Sequence, residues 1–549
     1  MALAFRFNGW LTLASLIALC VAAPILVLGW HAFDSIAHWG HLLQYVLPNA
    51  FKNTVWLLSG VGVLVAAIGV GAAWFVTAYQ FPTRSILSWA LLLPLAVPTY
   101  IVAFAYLDVL HPLGPVQGLI RDALGYTSPR QFRLPDLRSL GGGILLLGFV
   151  LYPYVYLSAR AMFATQAASL LEAARILGEN GQSVFFRVAL PLARPAVAVG
   201  LSLALLETLN DIGASEFLGI QTITVSIYST WVTRSDLAGA AQIALSMLVI
   251  VAGLIYIERL GRRHQRYSSN QRSRPVQPQR LTGWRAAVVV TLGWIPVVLG
   301  FVVPASYLIN ESVKYWHLTG SVSQQLFQSA VNTFSLALVA TLVTIVAGIV
   351  VAWAARRTSL RSQDTRYTRV VVGVASMGYA VPGTVLGIGL LSSFVFVDGF
   401  LNRITHLWGA PDRLILMGSA AALVIAYSMR FLAIATGGVQ AGLSRIPPSL
   451  EQASRLLGES PSRTLWRVHL PLLRPAVAAS ALLVFVDAMK ELPATLLLRP
   501  MNFDTLATWL YAEAARGTYE EGSIAALIIV LVGLVPVIFL ARTQLKSHY

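Results

Sequence analysis

Long apolar runs alternate with short polar stretches along the whole chain. Twelve runs reach about the 20 residues needed to cross a bilayer. They are residues 10–30, 54–78, 86–110, 140–163, 193–213, 238–257, 286–308, 333–355, 370–396, 414–436, 473–495 and 522–541. Hydrocarbon offers no partner to a backbone amide or carbonyl, so each run is expected to be a helix. A membrane barrel needs short segments of alternating polarity, a pattern these runs do not show.

One polar island between the runs occurs twice. Residues 169–198 read SLLEAARILGENGQSVFFRVALPLARPAVA, and residues 449–478 read SLEQASRLLGESPSRTLWRVHLPLLRPAVA. They align without a gap at an offset of 280, about half the chain. Other landmarks repeat as well. Asn53-Thr54 and Asn332-Thr333 open the second span of each half, Pro98 and Pro382 sit in the third, and Trp231 and Trp509 precede the sixth. Six spans per half leave both copies in the same orientation, which is a parallel duplication. The expected fold is therefore an all-α polytopic membrane protein of two homologous six-helix halves. Residues 1–257 and 285–549 are the two membrane units, and 258–284 form a basic linker too polar to cross.

The repeated island carries its own punctuation. Ser169 with Glu172, and Ser449 with Gln452, have capping-box spacing, so each predicts a helix start. Leu170, Ala174 and Leu177 share a helical face, as do Leu450, Ser454 and Leu457. Gly178 and Gly458 then fall where a helix ends in a left-handed residue. Asn180 in one copy and Ser460-Pro461 in the other predict a second start. That helix is expected to end at Leu190 or Leu470, broken by Pro191 or Pro471. Arg175, Arg187 and Arg194 match Arg455, Arg467 and Arg474. Orientation in a membrane requires only positive charge. It does not require the same caps, glycine and prolines in both halves, so the island reads as a docking element.

Charge adds the topology. Only 11% of residues are charged, well below the roughly 25% of soluble domains. The net charge of +16 would suit nucleic acid, but most of the 39 Lys and Arg fall on one side if both termini are cytoplasmic. This is the positive-inside bias, and the Arg-rich linker also suits anionic lipid rather than nucleic acid. Cys20 is the single cysteine, so no intrachain disulfide or cysteine metal cluster exists. The amino-terminal run is expected to be a retained span rather than a cleaved signal. His38 and His41 are close in sequence but have no third ligand nearby, and no metal site is expected.

The island resembles the EAA coupling loop of the membrane subunits of bacterial ATP-binding-cassette importers. The match runs Glu172-Ala173-Ala174, Gly178 and Leu190-Pro191 in the first copy. The second reads Gln452-Ala453-Ser454, Gly458 and Leu470-Pro471, with the acid one position earlier at Glu451. The resemblance covers essentially the whole chain as two fused permease units. It implies the type I importer permease fold, an inner-membrane location, two copies of a partner ATPase and a periplasmic substrate-binding protein. The chain lacks the G-x-x-x-x-G-K-[ST] phosphate loop. ATP and magnesium are therefore expected on the partner, and no cofactor or catalytic residue in this chain.

Ionisable residues inside spans usually face a path or a partner. Glu207 and Asp211 are four apart in the fifth span, as are Asp487 and Glu491 in its counterpart. These matched pairs are expected to line a cation path, or else to pair internally, with Lys490 neutralising Asp487 or Glu491. Asp108, Tyr152 and Tyr156 are weaker path candidates. The stretch Leu93-Pro94-Leu95-Ala96-Val97-Pro98-Thr99-Tyr100 and the stretch Glu207-Thr208-Leu209-Asn210-Asp211 resemble ferric-iron importers, which implies iron as cargo. Thiamine importers share the fused layout, and phosphonate permeases are more distant. A secondary transporter of the major facilitator type also has twelve spans, but its basic, glycine-bearing loop is not matched by Gln80-Phe81-Pro82-Thr83-Arg84.

Overall fold

The computed structural model describes residues 9–34, 37–165, 178–262, 278–361, 365–409 and 411–546. Eleven helices in it are long and apolar enough to cross a membrane. They are Gly9–Phe33, Trp39–Ala78, Leu140–Ala164, Gly181–Asn210, Leu237–Gly261, Gly283–Thr319, Gln324–Thr358, Gly383–His406, Ala420–Ser444, Pro461–Met489 and Tyr519–Phe539. A bent pair, Arg84–Ala96 and Thr99–Val109, supplies a twelfth. Each of the twelve apolar runs thus has a helical counterpart.

The third span of the first half is not the single straight helix that its length suggested. It bends by 92° between its two pieces. Pro98 holds φ −57°, ψ 145° as the residue before Thr99–Val109. Pro382 holds nearly the same pair, −57° and 144°, before Gly383–His406. Proline lacks the amide hydrogen that a continuing helix needs, so the chain restarts after it. Only the two ends of the 258–284 stretch lie among the described residues. Helix Leu237–Arg262 runs into it, and Gln279 and Arg280 pair in parallel with Tyr79 and Gln80.

Packing divides the chain into two compact units that do not follow the sequence halves. One comprises residues 1–42, 227–247 and 323–509, and the other 43–226, 248–322 and 510–549. In the first unit the opening span lies on the second-half bundle. Ala14, Ala18 and Val21 are buried with Val351, Ala354, Val371, Ala375 and Leu432. A Cβ on Gly389 would meet the Pro24 carbonyl oxygen at 2.5 Å, so helix and backbone touch there. In the other unit the opening span of the second half lies on the first-half bundle. A Cβ on Gly300 would meet the Phe149 carbonyl oxygen at 2.2 Å, and Tyr106 donates to the Leu299 carbonyl at 2.7 Å. Each half has given its first span to the other's bundle.

Candidate functional site

The duplicated island is best seen in its second copy. Residues Glu172, Ala173 and Ala174, with Ser169 and Arg175, lie outside the described residues. Helix Pro448–Leu456 contains Gln452, Ala453 and Ser454. It does not start at a Ser449 cap. Pro447 is the N-cap and Pro448 opens the first turn, with no side-chain cap bond. Two prolines fix φ there in advance, so the serine is not needed. Gly458 ends the helix at φ 78°. Its amide donates to the Arg455 carbonyl at 3.0 Å, and the Glu459 amide donates to the Ser454 carbonyl at 3.1 Å. Gly178 adopts the same conformation, φ 85°, in the first copy.

The second helix starts as the sequence predicted. The Asn180 side chain accepts from the Ser183 amide, and Ser460 accepts from the Arg463 amide. It does not stop at Leu190-Pro191 or Leu470-Pro471. The helical run is continuous from Gly181 to Asn210 and from Pro461 to Met489. A wide turn precedes each proline, at Phe185–Ala189 and Leu465–His469. There the Leu190 and Leu470 amides donate five residues back, to Phe185 and Leu465. The wide turn moves aside the carbonyl that the proline ring would otherwise strike. The second short helix of each island and the span after it are therefore one rod, set off from helix Pro448–Leu456 in the second copy by the Gly458 turn.

Of the residues assigned to one helical face, Ser454 is buried while Leu450 and Leu457 are exposed. Glu451 and Ser454 are buried, while Leu456 and Leu457 are 89% and 84% exposed and Leu450 is 40% exposed. Ser454 shares a hydrogen bond of 2.8 Å with Thr464, which ties the two helices together. Trp466, 69% exposed, follows on the second. The helix turns its polar side to the protein and leaves leucines outside, the reverse of an ordinary surface helix. One pair of the repeated arginines has matched partners. Arg187 reaches Glu179 at 3.0 Å and Arg467 reaches Glu459 at 2.8 Å. Glu179, held by the Ser183 and Arg187 side chains, titrates below the ordinary glutamate range. Sequence reasoning passed over these acids, although both sit eight residues before their arginine in each copy.

The matched acids of the fifth spans are not all alike. The first helix ends at Asn210 and the second at Met489, so neither pair lies four apart on one continuous helix. Asp211 is buried and accepts from the Ala214 amide at 3.0 Å. Glu491 is buried and accepts from the Ala494 amide at 3.1 Å and from Arg430 at 2.8 Å. Each thus accepts an amide from the first turn of the short helix that follows, Gly213–Phe217 or Pro493–Leu498, from one residue before its N-cap. Glu207 is half-buried. Asp487 is partly exposed and pairs with Lys490 at 2.8 Å. Internal pairing thus holds for Asp487 and Glu491, with Arg430 as a partner the sequence reading did not name. Its side chain crosses Gly383, where a Cβ would lie 2.0 Å from the guanidinium.

Tyr152 and Tyr156 are fully buried, and Tyr156 donates to the Ser88 carbonyl at 2.7 Å. They are packing residues. Asp108 accepts from Tyr307 at 2.7 Å and borders a cavity of about 460 Å³. A neighbouring cavity of about 330 Å³ is lined by Arg138, Glu216, Tyr511 and Tyr519. Tyr511 donates to Glu216, and burial raises the Glu216 carboxyl above its ordinary range.

Eleven apolar helices long enough to cross a membrane and one bent pair among the described residues, with an island whose sequence occurs twice, make a multi-pass membrane protein of duplicated design. The sequence matches the family described as binding-protein-dependent transport system inner membrane component over residues 65–264 and 345–546, and the chain belongs to that family. It is a fused ABC permease that resembles ferric importers. The Fe(3+)-transport system permease protein FbpB 2 of Haemophilus influenzae is 25% identical over 508 residues, 91% of each chain. The ferric transport system permease protein FbpB of Actinobacillus pleuropneumoniae is 23% identical over 90% of this chain and 71% of its own. A putative 2-aminoethylphosphonate transport system permease protein PhnU of Salmonella choleraesuis is 28% identical over 42% of this chain and 77% of its own. Among solved structures, a bacterial alginate ABC transporter in complex with an alginate-bound periplasmic protein aligns at 17% identity and a TM-score of 0.38, over 47% of this chain and 91% of that one.

Proposed function

We propose that this chain is the translocating subunit of an ATP-driven importer that carries ferric iron from a periplasmic binding protein into the cytoplasm. Residues 1–257 and 285–549 act as the two permease units, joined by 258–284, in an inner membrane with both termini cytoplasmic. Two copies of a separate ATPase dock on the duplicated islands, and hydrolysis belongs to them, not to this chain. The observation that carries the docking reading is the helix Pro448–Leu456, with Glu451 and Ser454 inward and Leu456 and Leu457 outward. A surface leucine pair beside a rigid glycine turn has the chemistry to enter an apolar groove on a partner. Because the second helix of each island is continuous with a span, movement passed across the glycine turn reaches the membrane helix without a further hinge at Pro191 or Pro471.

Iron is favoured over phosphonate by extent. The ferric relatives match about nine-tenths of this chain and the phosphonate relative less than half. Glu207 and Asp487, the more exposed members of the acidic pairs, are the residues proposed to line the path. Asp211 and Glu491 support it from behind by accepting amides of the short helices that follow. The test is uptake of radiolabelled ferric iron by cells with and without the gene, supplied with the ATPase and receptor, against excess thiamine and 2-aminoethylphosphonate. Gene-dependent, energy-dependent uptake that neither competitor suppresses is expected. Accumulation of thiamine or the phosphonate instead of iron would overturn the cargo.

A further inference from the structure

The second docking helix is fastened to its bundle by a buried cluster of polar and charged side chains whose sequence counterparts in the first half are uncharged. Glu451, in its first turn, is 2% exposed. Arg356, near the end of helix Gln324–Arg361, donates from Nε to its carboxylate at 2.8 Å and from Nη2 to the Ile446 carbonyl at 2.9 Å. His469, in the wide turn before Pro471, is completely buried, and its Nε2 lies 3.4 Å from the same carboxylate oxygen. That approach is electrostatic contact rather than a hydrogen bond, since neither ring nitrogen has a hydrogen-bond partner among the described residues. Trp353 packs on the imidazole with ring centres 4.9 Å apart.

The equivalent positions of the first half are uncharged. At the offset of 280, Glu451 corresponds to Leu171 and His469 to Ala189. At the offset of 279 that relates Asn53 to Asn332, Trp353 corresponds to Trp74 and Arg356 to Thr77. The tryptophan is kept, and Trp74 packs on aromatic rings instead, Phe185 at 5.2 Å and Phe163 at 5.4 Å. Three residues from three separate elements have changed character together. A buried ion has to be paired, so neither Arg356 nor Glu451 can be exchanged alone at low cost.

We propose that Arg356, Glu451 and His469 are a positioning triad that fixes the second docking helix to the ends of two spans. Glu451 serves this chain internally and is not a contact for the ATPase. The second docking helix is thereby held by directional charge, and the sequence of the first copy places no charge at the three corresponding positions. The proposal rests on the docking reading above.

The experiment uses the full chain co-expressed with its ATPase and purified in lipid nanodiscs. Glu451→Leu, Arg356→Thr and the triple exchange Arg356→Thr, Glu451→Leu, His469→Ala give the second half the residues of the first. Hydrogen exchange of amides 448–456 and ATP hydrolysis per retained ATPase are read together. Each single change strands a buried charge, and it is expected to speed exchange by about tenfold or more and to lower ATP hydrolysis per retained ATPase. The triple exchange is expected to return both to within about threefold of the parent, a non-additive recovery that marks a coupled cluster. Where the leucine variant does not insert, Glu451→Gln removes the charge and keeps the shape. Single changes without effect, or a triple variant as impaired as the product of the singles, would overturn the triad while leaving docking intact. A parent chain that retains no ATPase would overturn the docking reading and the triad's role with it.

Discussion

Replacing Gly458 by valine loads the docking turn with backbone strain and nothing else. The residue sits at φ 78°, and no heavy atom lies within 4 Å of where its Cβ would be. Space is therefore not the issue. A left-handed conformation costs an ordinary L-residue about 1–2 kcal/mol, and a β-branched one lies at the severe end. That is a factor of about 5–30 in the population of the turned conformer. Gly178, at φ 85° with equally open surroundings, is expected to behave alike, and the double variant to lose about the sum because the turns belong to separate copies. Asparagine tolerates the left-handed region and is the control. Transport per ATP should fall several-fold in Gly458→Val and stay near the parent in Gly458→Asn, with equal amounts of both in the membrane. The same uptake from valine and asparagine variants, or full ATP-driven uptake by the double valine variant, would refute the argument that a left-handed turn sets the docking rod.

Four further outcomes follow from the same geometry. Arg430→Met leaves the buried Glu491 carboxylate without its guanidinium and is expected to destabilise by about 3–5 kcal/mol, with much of the loss recovered in Arg430→Met/Glu491→Gln; thermal unfolding of the purified protein checks this. Gly383→Ala places a methyl group where the Arg430 guanidinium now lies, so it should reproduce part of that loss, and an unchanged melting temperature would count against the crossing. Pro471→Ala should keep the rod helical and cost less than about 1 kcal/mol, because the wide turn at Leu465–His469 already accommodates the ring; a large drop in melting temperature would show that proline holds the bend. Cysteines at Ser462 and Arg413, with Cys20 changed to serine, should label from opposite sides of sealed vesicles, and labelling from one side would break the twelve-span topology.

Much of the membrane plan was legible from pattern. Apolar length alone marks a span, because hydrocarbon forces the backbone to bond internally whatever the neighbours are. The repeat, its glycine turns and the Asn180 and Ser460 caps were legible too, since a φ above zero or a short-range cap is settled within a few residues. The failures share a cause. Ser449 as a cap gave way to Pro447-Pro448, and the breaks expected at Pro191 and Pro471 gave way to wide turns. In each case two local preferences competed, and spacing does not rank them.

What the sequence by itself determined was therefore the apolar runs that become spans, their duplication and the position of the repeated islands. Tertiary structure alone decided which bundle each opening span joins, that Leu456 and Leu457 face outward, and that Arg430, Arg356 and His469 meet Glu491 and Glu451. The physical reason is range. Hydrophobic length and turn chemistry act over a few residues of contiguous chain. An apolar helix fits several neighbours almost equally well, and a buried charge finds its counter-ion 61 or 95 residues away only when the fold has closed.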